Sequence, residues 1–409
     1  MKKTYIDTAM ERIAPDLILK GGNVVDVFSG RVIKADVIIK DGIICGVGSY
    51  SGENEQDVSG KYVMPGFIDS HVHIESSMTQ PSEYAKAVMP HGITTVIADP
   101  HEITNVCGED GLEFMLKSAK NIPLDVNLML PSCVPATPFE HTGANLDAKT
   151  TQKLAPKFFG IGEMMNYPGI VSGDDETLGK LCLDIIDGHA PLLSGHELDA
   201  YTSAGIKTDH ECSVVEEMTE KISKGMYILL REGTLSLDVA KLIKGVTPYT
   251  LRRCAFCTDD RFVGEIIRDG SIDHCIRKAV SLGLNNIDAI IMATLNACEM
   301  YGMKNKGAIA PSYVADIVVA DDLNLSSISQ VYKNGKLVCE NGTALFECET
   351  VDNSKVTNTV HLPKISADFF KTDVKDKFDA IELIPESIIT KKVTVSYSDS
   401  LSKVCVIER

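Results

Sequence analysis

The chain has 409 residues and a net charge of −17 at neutral pH, enough for one large core with one or two smaller units. Its negative charge disfavours nucleic acid or an anionic membrane as a partner, and no apolar run is long enough to span a bilayer. The 12 cysteines lack the spacing of a disulfide framework, which is typical of reduced thiols in the cytoplasm. We therefore expect a cytoplasmic protein whose partners are small molecules.

Short β-branched runs separated by glycine-containing turns open the chain, from residue 16 to about residue 47. Among these turns, Asp41-Gly42 is a good signal for a tight hairpin. A similar pattern returns downstream, where an Asn334-Gly335 turn again joins two β-branched runs. We predict one small β-sandwich domain whose two parts are residues 1–63 and 305–347. The runs expected to form strands are Leu17–Lys20, Val24–Val27, Val37–Lys40, Ala315–Ala320 and Val331–Val338, with a turn at Gly21-Gly22 between the first two.

The middle of the chain, residues 64–304, alternates short apolar runs with longer helical patterns. Such alternation indicates a parallel sheet with crossover helices. Eight strand–helix units in about 240 residues match the size of a (β/α)8 TIM barrel, whose active site lies at the carboxyl ends of its strands. The eight predicted strands end near His73, Asp99, Leu130, Glu163, His189, His210, Arg231 and Asp259.

The pattern changes after residue 347. Residues 348 to about 377 are polar and weakly periodic, and two β-branched runs follow, Lys391–Tyr397 and Lys403–Ile407. A final strand with no turn behind it suggests that residues 348–409 begin a further domain whose remainder is absent.

A pair of histidines marks the end of the first barrel strand, in the stretch Pro65–Ile74. Residues i and i+2 of a strand lie on one face, so His71 and His73 should point the same way, close enough to share a metal ion. Imidazole is the commonest metal ligand among side chains. The alternative is that both histidines merely face solvent. It is disfavoured because four further ligand-type residues lie at later strand ends: Glu163, His189, His210 and Asp259.

These six residues are more than one tetrahedral catalytic ion needs, since such an ion also keeps an open position. The set matches two divalent ions that share a carboxylate and a hydroxide. Mixed imidazole and carboxylate ligation suits zinc, iron or manganese, and residue type alone does not choose among them. Taken singly, Glu163, His189 or His210 would more often make an ordinary hydrogen bond. Six such residues at one barrel mouth favour the metal centre.

Carboxylates near such a centre are candidates for proton transfer. A carboxylate beside the shared hydroxide takes its proton and passes it to the leaving group, and we predict this role for Asp259. The run Asp99-Pro100-His101-Glu102 follows the second strand and therefore faces the same mouth. It is expected either to contact the substrate or to support the metal ligands, with Asp99 as a partner of a ligand histidine.

Long motifs that follow one another in this order resemble those of the amidohydrolase superfamily and, within it, of the bacterial adenine deaminases. The resemblance covers nearly the whole chain from the first strands onward. It implies hydrolysis of adenine to hypoxanthine and ammonia, as in purine salvage, with iron (Fe²⁺) or manganese (Mn²⁺) favoured over zinc. We expect a homodimer. The motifs are His71–Met78, Ala98–Ile103, Pro131–Pro138, Gly162–Asn166, Asp187–Pro191, Asp209–Cys212, Arg231–Gly233 and Thr258–Arg261.

The same resemblance implies roles for single residues. Glu163 takes the bridging place that a carboxylated lysine fills in many relatives. Mononuclear adenosine deaminases carry a glutamate in a His-Ala-Gly-Glu run, whereas the run that begins at His189 reads His-Ala-Pro-Leu. Another carboxylate must then protonate the purine ring, and Glu102 and Glu75 are the candidates. The expected substrate contacts are Asp99, His101 and Arg231.

Two other functions stay open. A different binuclear amidohydrolase would act on a cyclic or linear amide, although such enzymes commonly carry a lysine where this chain has Glu163. A chain that lacks the rest of its last domain could instead be an inactive metal-binding or assembly subunit. The complete ligand set favours catalysis over that alternative.

Overall fold

The structure is a computed structural model that describes residues 2–137, 139–362, 364–371, 376–386, 389–398 and 400–405. The strands are β1 (Leu17–Asp26), β2 (Arg31–Lys40), β3 (Ile43–Gly48), β4 (Glu55–Asp57), β5 (Tyr62–Pro65), β6 (Phe67–Val72), β7 (Ile93–Ala98), β8 (Asp125–Leu130), β9 (Gly160–Met164), β10 (Ile186–Gly188), β11 (Thr208–Asp209), β12 (Tyr227–Arg231), β13 (Cys254–Cys257), β14 (Ile317–Ala320), β15 (Ile328–Lys333), β16 (Lys336–Glu340), β17 (Thr343–Ala344), β18 (Phe378–Leu383) and β19 (Thr390–Val395).

The helices are α1 (Lys2–Ala9), α2 (Pro81–Val88), α3 (His101–Ser118), α4 (Ala148–Leu154), α5 (Tyr167–Ser172), α6 (Asp175–Gly179), α7 (Gly195–Ser203), α8 (Val215–Ser223), α9 (Val239–Leu242), α10 (Val263–Asp269), α11 (Ile272–Ser281), α12 (Asn286–Met292) and α13 (Leu295–Met300). Helix α3 is broken at Gly108, whose φ is 57°. Across the described ranges, no helix combines the length and the apolar character that a membrane crossing requires.

One nine-stranded sheet combines strands from both sides of the barrel segment. Its strand order is β17-β16-β15-β14-β5-β1-β2-β3, with β4 also paired to β1. Only the pairs of β1 with β4 and with β5 are parallel. The prediction of a small sheet domain built from two distant pieces of the chain is therefore confirmed, while its boundaries at residues 63, 305 and 347 stay predictions.

The hairpin turns of this sheet follow the glycine signals in two cases and not in a third. Asp41 and Gly42 have φ values of 49° and 76°, and Asn334 and Gly335 have 49° and 73°, as a two-residue type I′ turn requires. The predicted turn at Gly21-Gly22 is wrong. Strand β1 runs through it with a shift of register, because the Gly21 N–H bonds to the Asp36 side chain (2.8 Å) instead of a neighbouring strand.

The eight strands β6 to β13 form the predicted TIM barrel. They make two parallel ribbons, β10-β9-β8-β7-β6 and β11-β12-β13, joined by a bridge between Val72 and Asp259. Strands β10 and β11 meet at Thr208, which accepts a hydrogen bond from the Gly188 N–H (3.0 Å). Every residue of β6 and β7 is buried, as in parallel strands covered on both faces. Each strand ends within two residues of its predicted end.

A glycine between β5 and β6 lets the chain pass from the sheet into the barrel. The Gly66 N–H donates to the Asp316 carbonyl of the sheet (2.9 Å), and Phe67 starts the first barrel strand. A Cβ at Gly66 would lie 2.3 Å from Thr94 Oγ1, so no larger residue fits without a shift of the barrel. The histidine pair is thus anchored five residues after a fixed junction.

Among the described residues after 347, strands β18 and β19 pair antiparallel. Strand β19 confirms the run predicted at residues 391–397, whereas β18 was not predicted. Residues 403–405 form no strand. The rest of that predicted strand, Val406 and Ile407, lies outside the described residues, as does Pro138.

Candidate metal centre

Backbone hydrogen bonds fix the first and last barrel strands to each other at the mouth. The Asp259 N–H donates to the His71 carbonyl (2.9 Å), and the His73 N–H donates to the Asp259 carbonyl (3.1 Å). Asp259 itself has a φ of 55°, in the left-handed region that aspartate tolerates better than most residues. The chain therefore bends just after β13, and the Asp259 carboxylate lies beside both histidines.

We call His71, His73 and Asp259 the first group. The Nε2 atoms of the two histidines are 3.2 Å apart. Asp259 Oδ1 lies 3.5 Å from His71 Nε2 and 3.1 Å from His73 Nε2. All three side chains are buried or nearly so. Glu163 Oε1 lies 3.3 Å from His73 Nε2. With it, four potential ligand atoms face one small space.

We call His189 and His210 the second group. Glu163 Oε2 lies 2.7 Å from His189 Nδ1 and 3.1 Å from His210 Nε2. Glu163 therefore directs one carboxylate oxygen at each group. Burial by itself would raise the pKa of Glu163, but the imidazoles of His189, His101 and His210 more than offset this and hold the pKa well below its usual range.

The donor atoms of the first group are spaced as ligands of a divalent cation are. Atoms about 2.1 Å from one tetrahedral ion lie roughly 3–3.5 Å apart, the range of the separations within the first group. His73 Nδ1 is within hydrogen-bonding distance of the Asp99 carbonyl (2.8 Å). With its proton there, a neutral His73 presents only a lone pair at Nε2 towards His71. Buried nitrogen and carboxylate donors that converge in this way are a site for positive charge.

Asp99 lies beneath the ligands rather than at the open mouth. It is buried, and its Oδ2 accepts the backbone N–H of Glu163 (2.9 Å). Gly162 leaves room for it, because a Cβ there would lie 2.1 Å from Asp99 Oδ2. The sequence left two roles open for Asp99, contact with the substrate and support of the metal ligands. These contacts favour support, since the Asp99 carbonyl orients His73 and its carboxylate fixes Glu163.

Arg231 is also buried, with 3% of its side chain exposed, and it bonds to three carboxylates. Its Nη1 donates to Asp259 Oδ2 (2.9 Å) and its Nε to Asp238 Oδ2 (3.1 Å). Both of its terminal nitrogens bond to Glu211. Arg231 is therefore bonded to Asp259 and Glu211, and the substrate contact expected from the sequence stays a prediction.

Glu75, His101 and Glu102 lie on the first-group side of the mouth. His101 Nδ1 is 3.2 Å from Glu163 Oε1, and Glu102 Oε2 is 3.6 Å from His73 Nδ1. Glu75 Oε1 accepts the Ile103 N–H (3.2 Å), while its buried Oε2 has no hydrogen-bond partner among the described residues. Burial, followed by the nearby Glu102 charge, raises the pKa of Glu75 to about 8.

The structure places all six proposed ligands at one mouth, beside two carboxylates to which the sequence alone assigned no role, Glu211 and Asp187. Glu211, next to His210, lies 3.4 Å from His210 Nε2 and 3.6 Å from His189 Nδ1. Asp187 Oδ2 lies 3.7 Å from His71 Nδ1 and accepts a hydrogen bond from the Tyr301 hydroxyl (3.1 Å). Their sequence signal is a carboxylate one or two positions from a ligand histidine at a strand end, as Glu211 is from His210 and Asp187 from His189.

Comparisons with known proteins agree with this architecture. Residues 62–338 match the model of the amidohydrolase family. The adenine deaminase of Clostridium acetobutylicum is 47% identical, and the alignment covers 99% of this chain and 74% of that protein. Adenine deaminase 2 of Desulfotalea psychrophila is 44% identical, covering 100% of this chain and 74% of its own length.

Among solved structures, an enamidase of the amidohydrolase superfamily superposes with a TM-score of 0.61 at 18% identity, over 80% of this chain and 96% of that one. A β-aspartyl dipeptidase from Fervidobacterium islandicum gives 0.58 at 19% identity, over 82% and 98%. These two share the fold alone, whereas the closer sequence relatives define the branch. The chain belongs to the amidohydrolase family and, within it, to the adenine deaminases.

Proposed function

We propose that this chain hydrolyses adenine to hypoxanthine and ammonia. Relatives that carry the name adenine deaminase align with 99–100% of the chain at 44–47% identity. The observation that supports the chemistry most directly is the position of Glu163, with one oxygen towards each histidine group. A cyclic-amide substrate is less favoured, since the structures of amide-cleaving relatives share only the fold.

In this proposal the centre would take two divalent ions. His71, His73 and Asp259 would hold one, His189 and His210 would hold the other, and Glu163 would offer one oxygen to each. Such ions supply Lewis acidity, which lowers the pKa of water and polarises the substrate. The resemblance to adenine deaminases favours manganese or iron, with zinc as the alternative, because the donor set by itself suits all three.

Asp259 is the proposed proton carrier. Arg231 holds its Oδ2, so Oδ1 is the oxygen left facing the histidines. From there the carboxylate takes a proton from the attacking water and gives it to the departing amine. Glu102 and Glu75, on the same side of the mouth, are the candidates for protonating the ring, and His101 is the candidate for contact with the purine.

The test is ammonia release from adenine by metal-free protein reloaded with Mn²⁺, Fe²⁺ or Zn²⁺. We expect turnover with at least one of the three and none without metal. A cyclic amide such as dihydrouracil should remain intact under the same conditions. Hydrolysis of the amide without ammonia release from adenine would overturn the proposal in favour of the other binuclear amidohydrolases.

Three further points stay predictions: a cytoplasmic location, a homodimer and a place in purine salvage. The homodimer is checked by the mass of the purified protein in solution at several concentrations. The location and the salvage role require the protein in its own cell.

A further inference from the structure

A fully buried lysine lies behind the second group, on helix α8. The Lys221 side chain has no exposed surface. Its Nζ donates to Asp209 Oδ2 (2.9 Å), to Glu217 Oε1 (2.7 Å) and to the Ala190 carbonyl (2.6 Å). Burial of an ammonium group is costly unless it is paired, and here three acceptors match its three donors.

The acceptors of Lys221 are direct chain neighbours of the second-group histidines. Ala190 follows His189, and Asp209 precedes His210. Asp209 Oδ1 accepts the Ala190 N–H (2.8 Å), which closes the link between the two strand ends.

Glu217 extends the same network. Its Oε1 accepts the Leu192 N–H (2.7 Å) as well as the Lys221 ammonium. The ammonium and two carboxylates thus fix residues 190–192, just after His189, against the end of β11.

The barrel needs such a link at this point. Strand β10 has three residues and β11 has two. The two strands belong to different ribbons of the barrel. Where the first group has the backbone bridge of Val72 and Asp259, the second group depends on side chains. Burial alone would lower the pKa of Lys221, but Asp209 reverses the effect and keeps the pKa above its usual value.

We propose that Lys221 is a positioning residue for the second group. It holds His189 and His210 at the separation at which both share Glu163 Oε2, and thereby sets the affinity of the second ion. The inference rests on the proposed two-ion function. Lys221 bonds to none of the proposed ligands, and its effect passes through Ala190 and Asp209.

The experiment compares wild type, Lys221→Met and Lys333→Met by titration of metal-free protein with Co²⁺ alone, following visible absorption. Lys333 is the matched control, because its side chain is nearly as enclosed, with 3% exposed, and it bonds to Asp316 (2.7 Å) and to Asp125 (2.8 Å) at the start of barrel strand β8, the end opposite the mouth. If Lys221 affects stability alone, both variants should have a lower Tm than wild type and keep two Co²⁺ sites.

We expect wild type to bind two ions. In Lys221→Met the first ion should bind as in wild type and the second about 10–100-fold more weakly, the usual cost of losing an outer support of a ligand. Lys333→Met should have a lower Tm and wild-type affinity for both ions. If Lys221→Met does not fold, the double variant Lys221→Met/Glu217→Gln replaces the test, since it leaves one buried carboxylate, Asp209, without its lysine instead of two.

Wild-type affinity for the second ion in the folded Lys221 variant would overturn the inference. A wild-type protein that binds only one ion would overturn the two-ion function itself, and with it this role of Lys221.

Discussion

The first and second groups lie at the same barrel mouth, but different bonds hold them in place. The first is carried by a six-residue strand and a backbone bridge to Asp259. The second follows strands of two and three residues and is held through buried charges around Lys221. The difference indicates that a barrel can fix a ligand with its backbone where strands are long, and needs a charged side chain where they are short.

The largest effect should come from Glu163→Gln, because this residue serves both groups. The amide keeps the shape but is a neutral, weaker ligand for hard cations. We expect metal content and adenine turnover to fall together, with a circular dichroism spectrum like that of wild type. Glu232→Gln is the control, since this buried glutamate pairs with Lys278 and its side chain bonds to none of the proposed ligands in the described structure. Full metal occupancy in the Glu163 variant would remove it from the ligand set.

Asp259→Asn tests the first group alone and should have the next largest effect. His71, His73 and Glu163 still face the same space, so appreciable metal should remain, while proton transfer is lost. We expect turnover to fall about 10²–10⁴-fold, measured as ammonia release at matched metal content. A wild-type rate would assign the proton transfer to another carboxylate, with Glu102 the next candidate.

A third region, around Asp316, has buried charges but none of the proposed metal ligands. Variants there should change stability without changing metal binding. Asp316 pairs with Lys306 and Lys333 in the sheet. Burial alone would raise the pKa of Asp316, but Lys333 and then Lys306 reverse this and lower the pKa. Because the folded-state pKa is lower than the unfolded one, the carboxylate stabilises the fold above its ordinary pKa of about 4 and loses this effect as the pH falls further.

Asp316→Asn should therefore lower the free energy of unfolding at pH 7 by about 1.5–3 kcal/mol, the contribution of hydrogen bonds to charged groups, because Lys306 and Lys333 keep Asp125 as a partner. The difference from wild type should shrink below about pH 4. Urea unfolding at several pH values measures it, and Co²⁺ affinity should stay unchanged. An equal difference at every pH would mean that the charge of Asp316 does not stabilise the fold.

The smallest effect is expected from Thr258→Val, which tests whether side chains also hold the first group. The Thr258 N–H and hydroxyl both bond to the buried Asp69. Loss of the hydroxyl should cost about 1–3 kcal/mol of stability, while the backbone bridge keeps metal affinity unchanged. Weaker binding of the first ion in this variant would show that the contrast between the groups is wrong.

Much of this molecule could be predicted because barrel strands have simple local signals. Parallel strands covered on both faces read as continuous apolar runs, so each strand end was found within two residues. The bulge at Gly21-Gly22 was missed, since two glycines indicate a turn as readily as an interrupted strand. What decides there is the Asp36 side chain, which reaches Gly21 from the neighbouring strand.

The sequence by itself determined the barrel and which residues meet at its mouth, because the carboxyl ends of parallel strands lie together whatever the details of packing. Only the tertiary structure decided how those residues divide into a first and a second group and which charges hold each group. The two oxygens of Glu163 point to different groups, Arg231 turns inward to carboxylates, and Lys221 reaches two strand ends from a helix. Strand and helix periods are local properties of the chain. The pairing of buried charges depends instead on distances between residues far apart in sequence, which exist only once the barrel has closed.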